Sequence, residues 1–84
     1  MSKFIHSQPQ DRLCAALKAA RKKAGLTQVE LARRLGMYRS FVSKYEKGER
    51  RLDVIEFLAV TEAIGVDAGK ILAELGTGVG RRGR

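Results

Sequence analysis

The sequence predicts an all-α fold, a compact bundle of five short helices in one domain. Apolar residues return at three- and four-residue steps along most of the chain, which is the period of an amphipathic helix. Residues 27–30 (TQVE) and 53–56 (DVIE) carry the capping-box pattern that marks the start of a helix. No stretch alternates apolar and polar residues in the manner of a strand. With 84 residues, the bundle has room for only a modest core.

The first helix is predicted to follow an N-terminal arm, residues 1–8, and to start near Pro9. Proline suits a first helical turn, where its missing N–H costs nothing. Residues 11–24 (DRLCAALKAARKKA) are mostly strong helix formers, and Gly25 is a suitable residue to end the helix. Its predicted apolar face consists of Leu13, Leu17, Ala20 and Ala24.

The second and third helices are predicted within residues 27–47, on either side of Gly36. Thr27 begins the second helix, with Glu30 as the partner in its capping box. The third helix is predicted over about residues 38–47, and Gly48 ends it. The apolar positions of the two helices are Leu31, Ala32, Leu35, Val42 and Tyr45. We interpret this segment as a helix-turn-helix whose second helix enters DNA.

The fourth helix is predicted to begin after the cap Asp53 and to close at Gly65. A fifth, short helix is predicted between the cap Asp67 and Gly76. The predicted buried stripe of the fourth helix is Val54, Phe57, Leu58, Thr61 and Ile64. Residues 77–84 (TGVGRRGR) show no periodicity and are predicted to be a flexible basic tail, so the helical domain is expected over residues 9–76.

Charge is the outstanding bulk property, with a formal net charge of +8 and a pI near 10.3. Such a pI is expected of a nucleic-acid binder, although acidic membrane surfaces also attract basic domains. The tail's three arginines account for three of these charges, so residues 1–76 still carry +5. The single cysteine, Cys14, allows no internal disulfide. With no signal-peptide pattern and no long apolar run, we expect a cytoplasmic protein.

A cationic, hydrogen-bonding face lies between the apolar positions of the third helix. The expected contacts with base edges are Arg39, Ser40, Ser43 and Lys44. Arg39 is the best candidate, because a guanidinium bonds guanine O6 and N7 together. Phe41 is expected to offer an apolar surface to a thymine methyl group. The expected contacts with phosphates are Thr27, Gln28, Tyr38, Lys47, Arg50 and Arg51.

Four residues of this segment occupy characteristic helix-turn-helix places. Gln28, Ala32, Gly36 and Val42 stand at its first, fifth, ninth and fifteenth positions. The chain, over roughly residues 10–75, resembles the phage repressor and Cro type of DNA-binding proteins, known as the XRE family. The resemblance implies the five-helix phage-repressor fold and a transcriptional regulator that binds operator DNA as a two-fold dimer.

The resemblance also implies roles for single residues. Gln28 matches a glutamine that touches a phosphate and braces the recognition helix, while Arg21 and Glu46 match a structural ion pair. Lys47, Arg50 and Arg51 fall in the loop that meets the DNA backbone in the family. Tyr38 departs from the pattern, because the family places Ser, Thr or Gly there as the helix cap, and a lost cap costs about 1 kcal/mol.

The sequence therefore favours a sequence-specific transcriptional regulator, a repressor, that binds double-stranded DNA as a homodimer. An antitoxin or a restriction–modification controller that regulates its own operon remains an alternative, as do a helical protein-interaction module and nonspecific binding to nucleic acid or anionic membranes. Residues expected to join two copies are Ile71, Leu72, Leu75 and Val79. No metal spacing, phosphate-binding glycine loop or catalytic constellation is present, so we expect neither enzymatic activity, nor a cofactor, nor a small-molecule ligand.

Overall fold

The computed structural model describes residues 8–76, which form five α-helices and no strand. The helices are α1 (Gln8–Lys23), α2 (Gln28–Leu35), α3 (Arg39–Glu46), α4 (Val54–Ile64) and α5 (Ala68–Gly76). The predicted all-α, five-helix fold is therefore confirmed. The expected arm and basic tail lie outside the described residues, except that Gln8 already belongs to α1.

Both predicted capping boxes are present, and they determine where α2 and α4 begin. The Glu30 N–H donates to Thr27 Oγ1 at 3.0 Å, and the Thr27 N–H donates to the Glu30 carboxylate at 2.8 Å. The same reciprocal pair joins Asp53 and Glu56, at 2.7 and 3.0 Å. In the first of the two boxes, the hydrogen bonds with Thr27 lower the pKa of Glu30, and the backbone N–H of Thr27 has the largest effect. Each box satisfies N–H groups that a helix start leaves without partners.

The turn between α2 and α3 depends on the backbone conformation of Gly36. Gly36 has a φ of 69°, in the left-handed region, and its N–H donates to the Arg33 carbonyl. The Met37 N–H donates to the Ala32 carbonyl at 2.9 Å, which completes the end of α2. A Cβ at Gly36 would meet no atom within 4 Å, so conformation rather than space selects glycine here.

The core holds α3 between α1 and α2, while α5 packs on α1 and α4. Its largest fully buried side chains are Leu17, Leu31, Val42, Tyr45 and Val60. The Arg34 guanidinium ties α2 to the end of α4 by donating to the Ala63 carbonyl at 2.8 Å. Among residues 8–76, none of the five helices has the length and apolar composition of a membrane span.

The predicted buried stripe of α4 is wrong at two positions. Val54 and Leu58 are 69% and 46% exposed, whereas Val60 is buried with Phe57, Thr61 and Ile64. Apolar residues occupy nearly every side of α4, so the helical period alone does not select the inner face. In α1, the predicted apolar face ends earlier than expected, since Ala24 lies beyond the helix and is exposed.

The residues on α5 that were expected to join two copies differ in exposure. Ile71 is buried in the core of its own chain, because α5 uses this residue to pack on the bundle. Leu72 is 50% exposed and Leu75 is half-buried, while Val79 lies outside the described residues. Only one of these four residues is thus shown to be a well-exposed apolar side chain.

Candidate nucleic-acid interface

Helix α3 has a buried side and a polar side. Its buried residues are Phe41, Val42 and Tyr45. The four residues expected to contact bases are at positions i, i+1, i+4 and i+5, and therefore share one face of the helix. Arg39, Ser40 and Lys44 are exposed and Ser43 is half-buried. The structure thus presents two cations and two hydroxyls together on the side away from the core.

Phe41 does not belong to this polar face, and its expected contact with a thymine methyl group is wrong. The side chain is buried, with its ring centroid 5.5 Å from that of Tyr45 and the two planes 70° apart. Such an edge-to-face pair is a favourable aromatic contact in a core. Phe41 therefore fixes the roll of α3 instead of reading DNA.

The Glu46 carboxylate, at the end of α3, joins three helices. It accepts from Arg21 Nε at 2.7 Å and Nη2 at 3.0 Å, and from Gln28 Nε2 at 2.9 Å. The Arg21 guanidinium also donates to the Leu26 carbonyl at 2.8 Å, so three of its donors are occupied. Both charged side chains are almost fully buried, and Glu46 raises the pKa of Arg21 by hydrogen bonding.

The predicted pair of Arg21 and Glu46 is thus present, and Gln28 braces α3 as the resemblance implied. Because Gln28 is the first residue of α2, the same contact aligns the start of α2 with the end of α3. We call this group of three residues, Arg21, Gln28 and Glu46, the three-helix clamp. It fixes the polar face of α3 relative to the N-terminus of α2.

Tyr38 is the N-cap residue of α3, with φ −80° and ψ 154°, and its side chain makes no capping hydrogen bond. It is 86% exposed, so its ring and hydroxyl extend into solvent beside the polar face. The helix itself starts at Arg39. The missing cap therefore does not displace the start of α3, and Arg39 lies in its first turn.

Supplying the missing cap should stabilise the protein. We expect Tyr38→Ser to raise the free energy of unfolding by about 1 kcal/mol relative to Tyr38→Ala, since the serine hydroxyl accepts from a free helix N–H. Both variants remove the exposed ring, so their difference in urea denaturation isolates the cap. Equal stabilities would show that this helix end gains nothing from a side-chain acceptor.

A second ion pair, which was not predicted from the sequence, joins the loop between α3 and α4 to α4. Arg50 donates from Nη1 and Nη2 to the two oxygens of Glu56, at 2.9 and 2.7 Å. Its guanidinium carbon also lies 4.8 Å from the centroid of the Phe41 ring. Arg50 thereby connects the loop to α4 and to the inner side of α3, whereas Lys47 and Arg51 are exposed.

This ion pair should be visible in the pH dependence of stability. The bidentate bond to Arg50 lowers the pKa of Glu56 from 4.5 to about 2. Because the folded-state pKa is the lower one, the stabilisation is present above about pH 4.5 and is lost as pH falls toward 2. Since the carboxylate is partly exposed and screened, we expect the pair to contribute only about 1 kcal/mol.

The variant that tests this contribution is Glu56→Gln, because glutamine keeps the capping hydrogen bond and loses the charge. The stability difference between wild type and variant should be constant near neutral pH and should vanish toward pH 2. Glu74→Gln, at an exposed helical glutamate, is the control and should show little difference at any pH. A Glu56 difference that persists unchanged to pH 2 would contradict the assignment.

A known family of proteins shares the segment that forms this arrangement. A family model described as helix-turn-helix matches residues 17–71, which contain α2, the Gly36 turn and α3. A solved XRE-family-like protein from Pseudomonas syringae pv. tomato str. DC3000 is 50% identical to the chain. The match covers 88% of this chain and 90% of that one, with a TM-score of 0.80. The chain belongs to the XRE-type helix-turn-helix family.

Two solved regulatory proteins are also similar to this XRE-type protein. The restriction-modification controller C.AhdI from Aeromonas hydrophila is 26% identical over 74% of this chain and 94% of its own, with a TM-score of 0.69. The clp gene regulator ClgR from Corynebacterium glutamicum is 27% identical over 80% and 71% of the two chains, with a TM-score of 0.74. No curated protein matches the chain. The family is one of DNA-binding transcription regulators.

The described part of this XRE-type domain contains no group of potential metal ligands and no exposed thiol. Within residues 8–76 no three His, Cys, Asp or Glu side chains are grouped to hold a metal ion. Cys14 is buried beside Gln10, whose Nε2 lies 3.6 Å from Sγ, and burial raises the pKa of the thiol. A thiol that remains protonated is a packing residue rather than a nucleophile.

Proposed function

We propose that this XRE-type protein regulates transcription by binding a specific operator sequence, as a repressor and as a homodimer, with α3 in the major groove. The observation that carries the proposal is the polar face of α3. It presents two cations and two hydroxyls on a helix that the three-helix clamp holds from the other side. A major groove accommodates one helix, and base edges there are recognised by such donors and acceptors.

Arg39 is the proposed principal reader of sequence. It lies in the first turn of α3 and is exposed, and the N-terminal residues of a recognition helix are those that reach base edges. A guanidinium that bonds guanine O6 and N7 discriminates by about 1–3 kcal/mol against other bases. Ser40, Ser43 and Lys44 complete the proposed contacts, with weaker discrimination from the short hydroxyl side chains.

The proposed phosphate contacts surround this face. Gln28 begins α2, where free backbone N–H groups favour an anion, and Thr27 precedes it. Exposed Tyr38, Lys47 and Arg51 extend the set along the turn and the loop. We assign Arg50 a positioning role instead, because Glu56 and the Phe41 ring already hold its guanidinium. Neutralising about 4–6 phosphates gives a slope of log K against log salt of about −4 to −5 per protomer.

A second candidate within the same class is the controller of a restriction–modification operon. It is supported by the similarity to C.AhdI, which extends over 94% of that controller. A protein-interaction module that does not read DNA is disfavoured, because such a module has no need for exposed Arg39 and Lys44 on one face of α3. The repressor and the restriction–modification controller would bind DNA through the same residues. They differ in which gene lies next to the operator.

The test is selection of bound duplexes from a random pool by the full chain at physiological salt. We expect a two-fold symmetric consensus whose half-sites are about one helical turn of DNA, or a multiple of it, apart. The location of that consensus upstream of the protein's own gene or of restriction genes separates the two regulatory candidates. A pool that shows no enrichment would refute sequence-specific binding.

A further inference from the structure

The two ends of α3 are held by different groups of residues. Glu46, the last residue of α3, belongs to the three-helix clamp, which joins this end to α1 and α2. Phe41, the third residue, contacts Arg50 of the following loop, whose guanidinium carbon lies 4.8 Å from the centroid of the ring. Arg39 and Ser40 immediately precede Phe41, so this contact lies beside two of the residues proposed to read bases.

The Arg50 guanidinium is held from its other side by α4. Its Nη1 and Nη2 donate to the two oxygens of Glu56, at 2.9 and 2.7 Å, and Nη1 also donates to the Arg51 carbonyl at 3.1 Å. The Glu56 carboxylate is fixed in turn, since it accepts from the Asp53 N–H at 3.0 Å in the capping box. We call the group of Phe41, Arg50 and Glu56 the loop bridge. It connects the first turn of α4 to the first turn of α3.

The loop bridge opposes rotation of α3 about its own axis. Arg50 covers one face of the Phe41 ring, and Tyr45 of the same helix packs against that ring edge to face, so the ring has little freedom of its own. A rotation of α3 by about 10° would move a side-chain end about 5–6 Å from the axis by about 1 Å. A forked bond to guanine needs both N–H groups aligned, so such a displacement weakens it. We propose that the loop bridge sets this rotation and thereby determines base specificity without contacting a base, a role that rests on the proposed function.

A positioning role and a purely electrostatic role predict opposite effects when the negative charge of Glu56 is removed. If Glu56 only reduces the attraction between the loop and DNA, its neutralisation strengthens binding to every duplex alike. If Glu56 holds Arg50 and so sets the rotation of α3, its neutralisation lowers the preference for the operator, although the net charge of the protein rises by one. The ratio of specific to nonspecific affinity therefore separates the two roles.

The experiment compares Glu56→Gln with Glu49→Gln in the full chain, using the selected operator and a random duplex at fixed salt. Each variant removes one negative charge between α3 and the first turn of α4, but only Glu56 belongs to the loop bridge. Glu49 is exposed and, within residues 8–76, has no ion-pair partner. We expect Glu56→Gln to lower the ratio of the two affinities about five- to tenfold, as for a weak base contact, and Glu49→Gln to keep it. Circular dichroism verifies that both variants are folded.

Arg50→Lys breaks the loop bridge from its other partner and leaves the net charge unchanged. An ammonium group cannot form the forked bond to both oxygens of Glu56, and it does not stack on Phe41 as a planar guanidinium does. We expect the ratio of affinities to fall as in Glu56→Gln, while the affinity for random duplexes stays the same. The double variant should lower the ratio no further than the more affected single variant, because both substitutions break one bridge.

The base pairs at which preference is lost distinguish rotation from general loosening of the domain. Selection repeated with Arg50→Lys should give a consensus relaxed at the base pairs that Arg39→Ala relaxes. It should keep the preference that depends on Lys44, because the three-helix clamp still holds that end of α3. A consensus relaxed evenly along the half-site would contradict the proposed rotation.

The remaining outcomes separate the loop bridge from the proposed function. Unchanged ratios in Glu56→Gln and Arg50→Lys, with a clear wild-type operator, would overturn the role of the bridge and leave operator binding intact. An equal fall in Glu49→Gln would also overturn it, because the charge of the loop would then be the cause. A wild-type selection without enrichment would refute the proposed function and, with it, a role in base specificity.

Discussion

Glu46→Ala is expected to lower the free energy of unfolding by about 3–5 kcal/mol, because it leaves the Arg21 guanidinium buried without its partner. The substitution also removes the acceptor of Gln28, and with it the polar contacts that join the end of α3 to α1 and α2. Small domains have a total stability of only about 5–15 kcal/mol, so the loss is a large share of the total. Urea denaturation monitored by circular dichroism measures it directly.

Two further variants test whether the unpaired charge is the cause. Glu74→Ala removes an exposed helical glutamate and should change stability by no more than about 0.5 kcal/mol. The double replacement Arg21→Met with Glu46→Met removes both buried charges and should recover part of the loss, since apolar side chains of similar size replace a buried pair well. If the double variant is less stable than Glu46→Ala, desolvation of Arg21 is not the origin of the effect.

Arg39→Ala is expected to reduce discrimination between the operator and a duplex altered at one guanine by about 1–3 kcal/mol. The reason is the loss of a bidentate donor to a base edge, which a phosphate contact does not provide. Affinity for random duplexes should fall less, because nonspecific binding depends on the summed charge, and Arg39 is one of 17 lysines and arginines. Competition between specific and random duplexes at fixed salt measures the two effects separately.

The matched control is Arg12→Ala, which removes the same charge from α1. Arg12 is exposed and lies nine residues before Arg21, about 13 Å along the helix and away from the three-helix clamp. We expect this variant to keep the base preference of the wild type. Should Arg39→Ala also keep it, Arg39 is a phosphate contact or a solvated charge and the proposed reading of bases is wrong.

Those features of the fold that depend on neighbouring residues were predictable from the sequence. Thr27 with Glu30, and Asp53 with Glu56, bond within one helical turn, so the starts of α2 and α4 follow from local chemistry. The polar face of α3 followed from the helical period, since burying Val42 and Tyr45 leaves Arg39, Ser40 and Lys44 outside. The partnership of Arg21 and Glu46 came from the family resemblance rather than from spacing.

The remaining features depend on contacts between distant parts of the chain. Phe41 was expected at the DNA surface, but packing against Tyr45 and Arg50 places it inside. The inner face of α4 was misassigned because Leu58 and Val60 are equally apolar, and only the surrounding helices decide which is covered. Arg50 was expected to contact phosphate. Its ion pair with Glu56 depends on the path of the loop before α4, and no periodicity in the sequence indicates that path.

The three-helix clamp has a consequence for the thermodynamics of association. A loop or helix that becomes ordered only on its target loses conformational entropy at that moment, and affinity falls accordingly. In this protein the Glu46 carboxylate, with Arg21 and Gln28, already fixes α3 against α1 and α2 before any DNA arrives. The proposed recognition surface is therefore preorganised. Within residues 8–76, the entropic cost of the proposed complex falls on exposed side chains such as Arg39 and Lys44, and on rigid-body freedom.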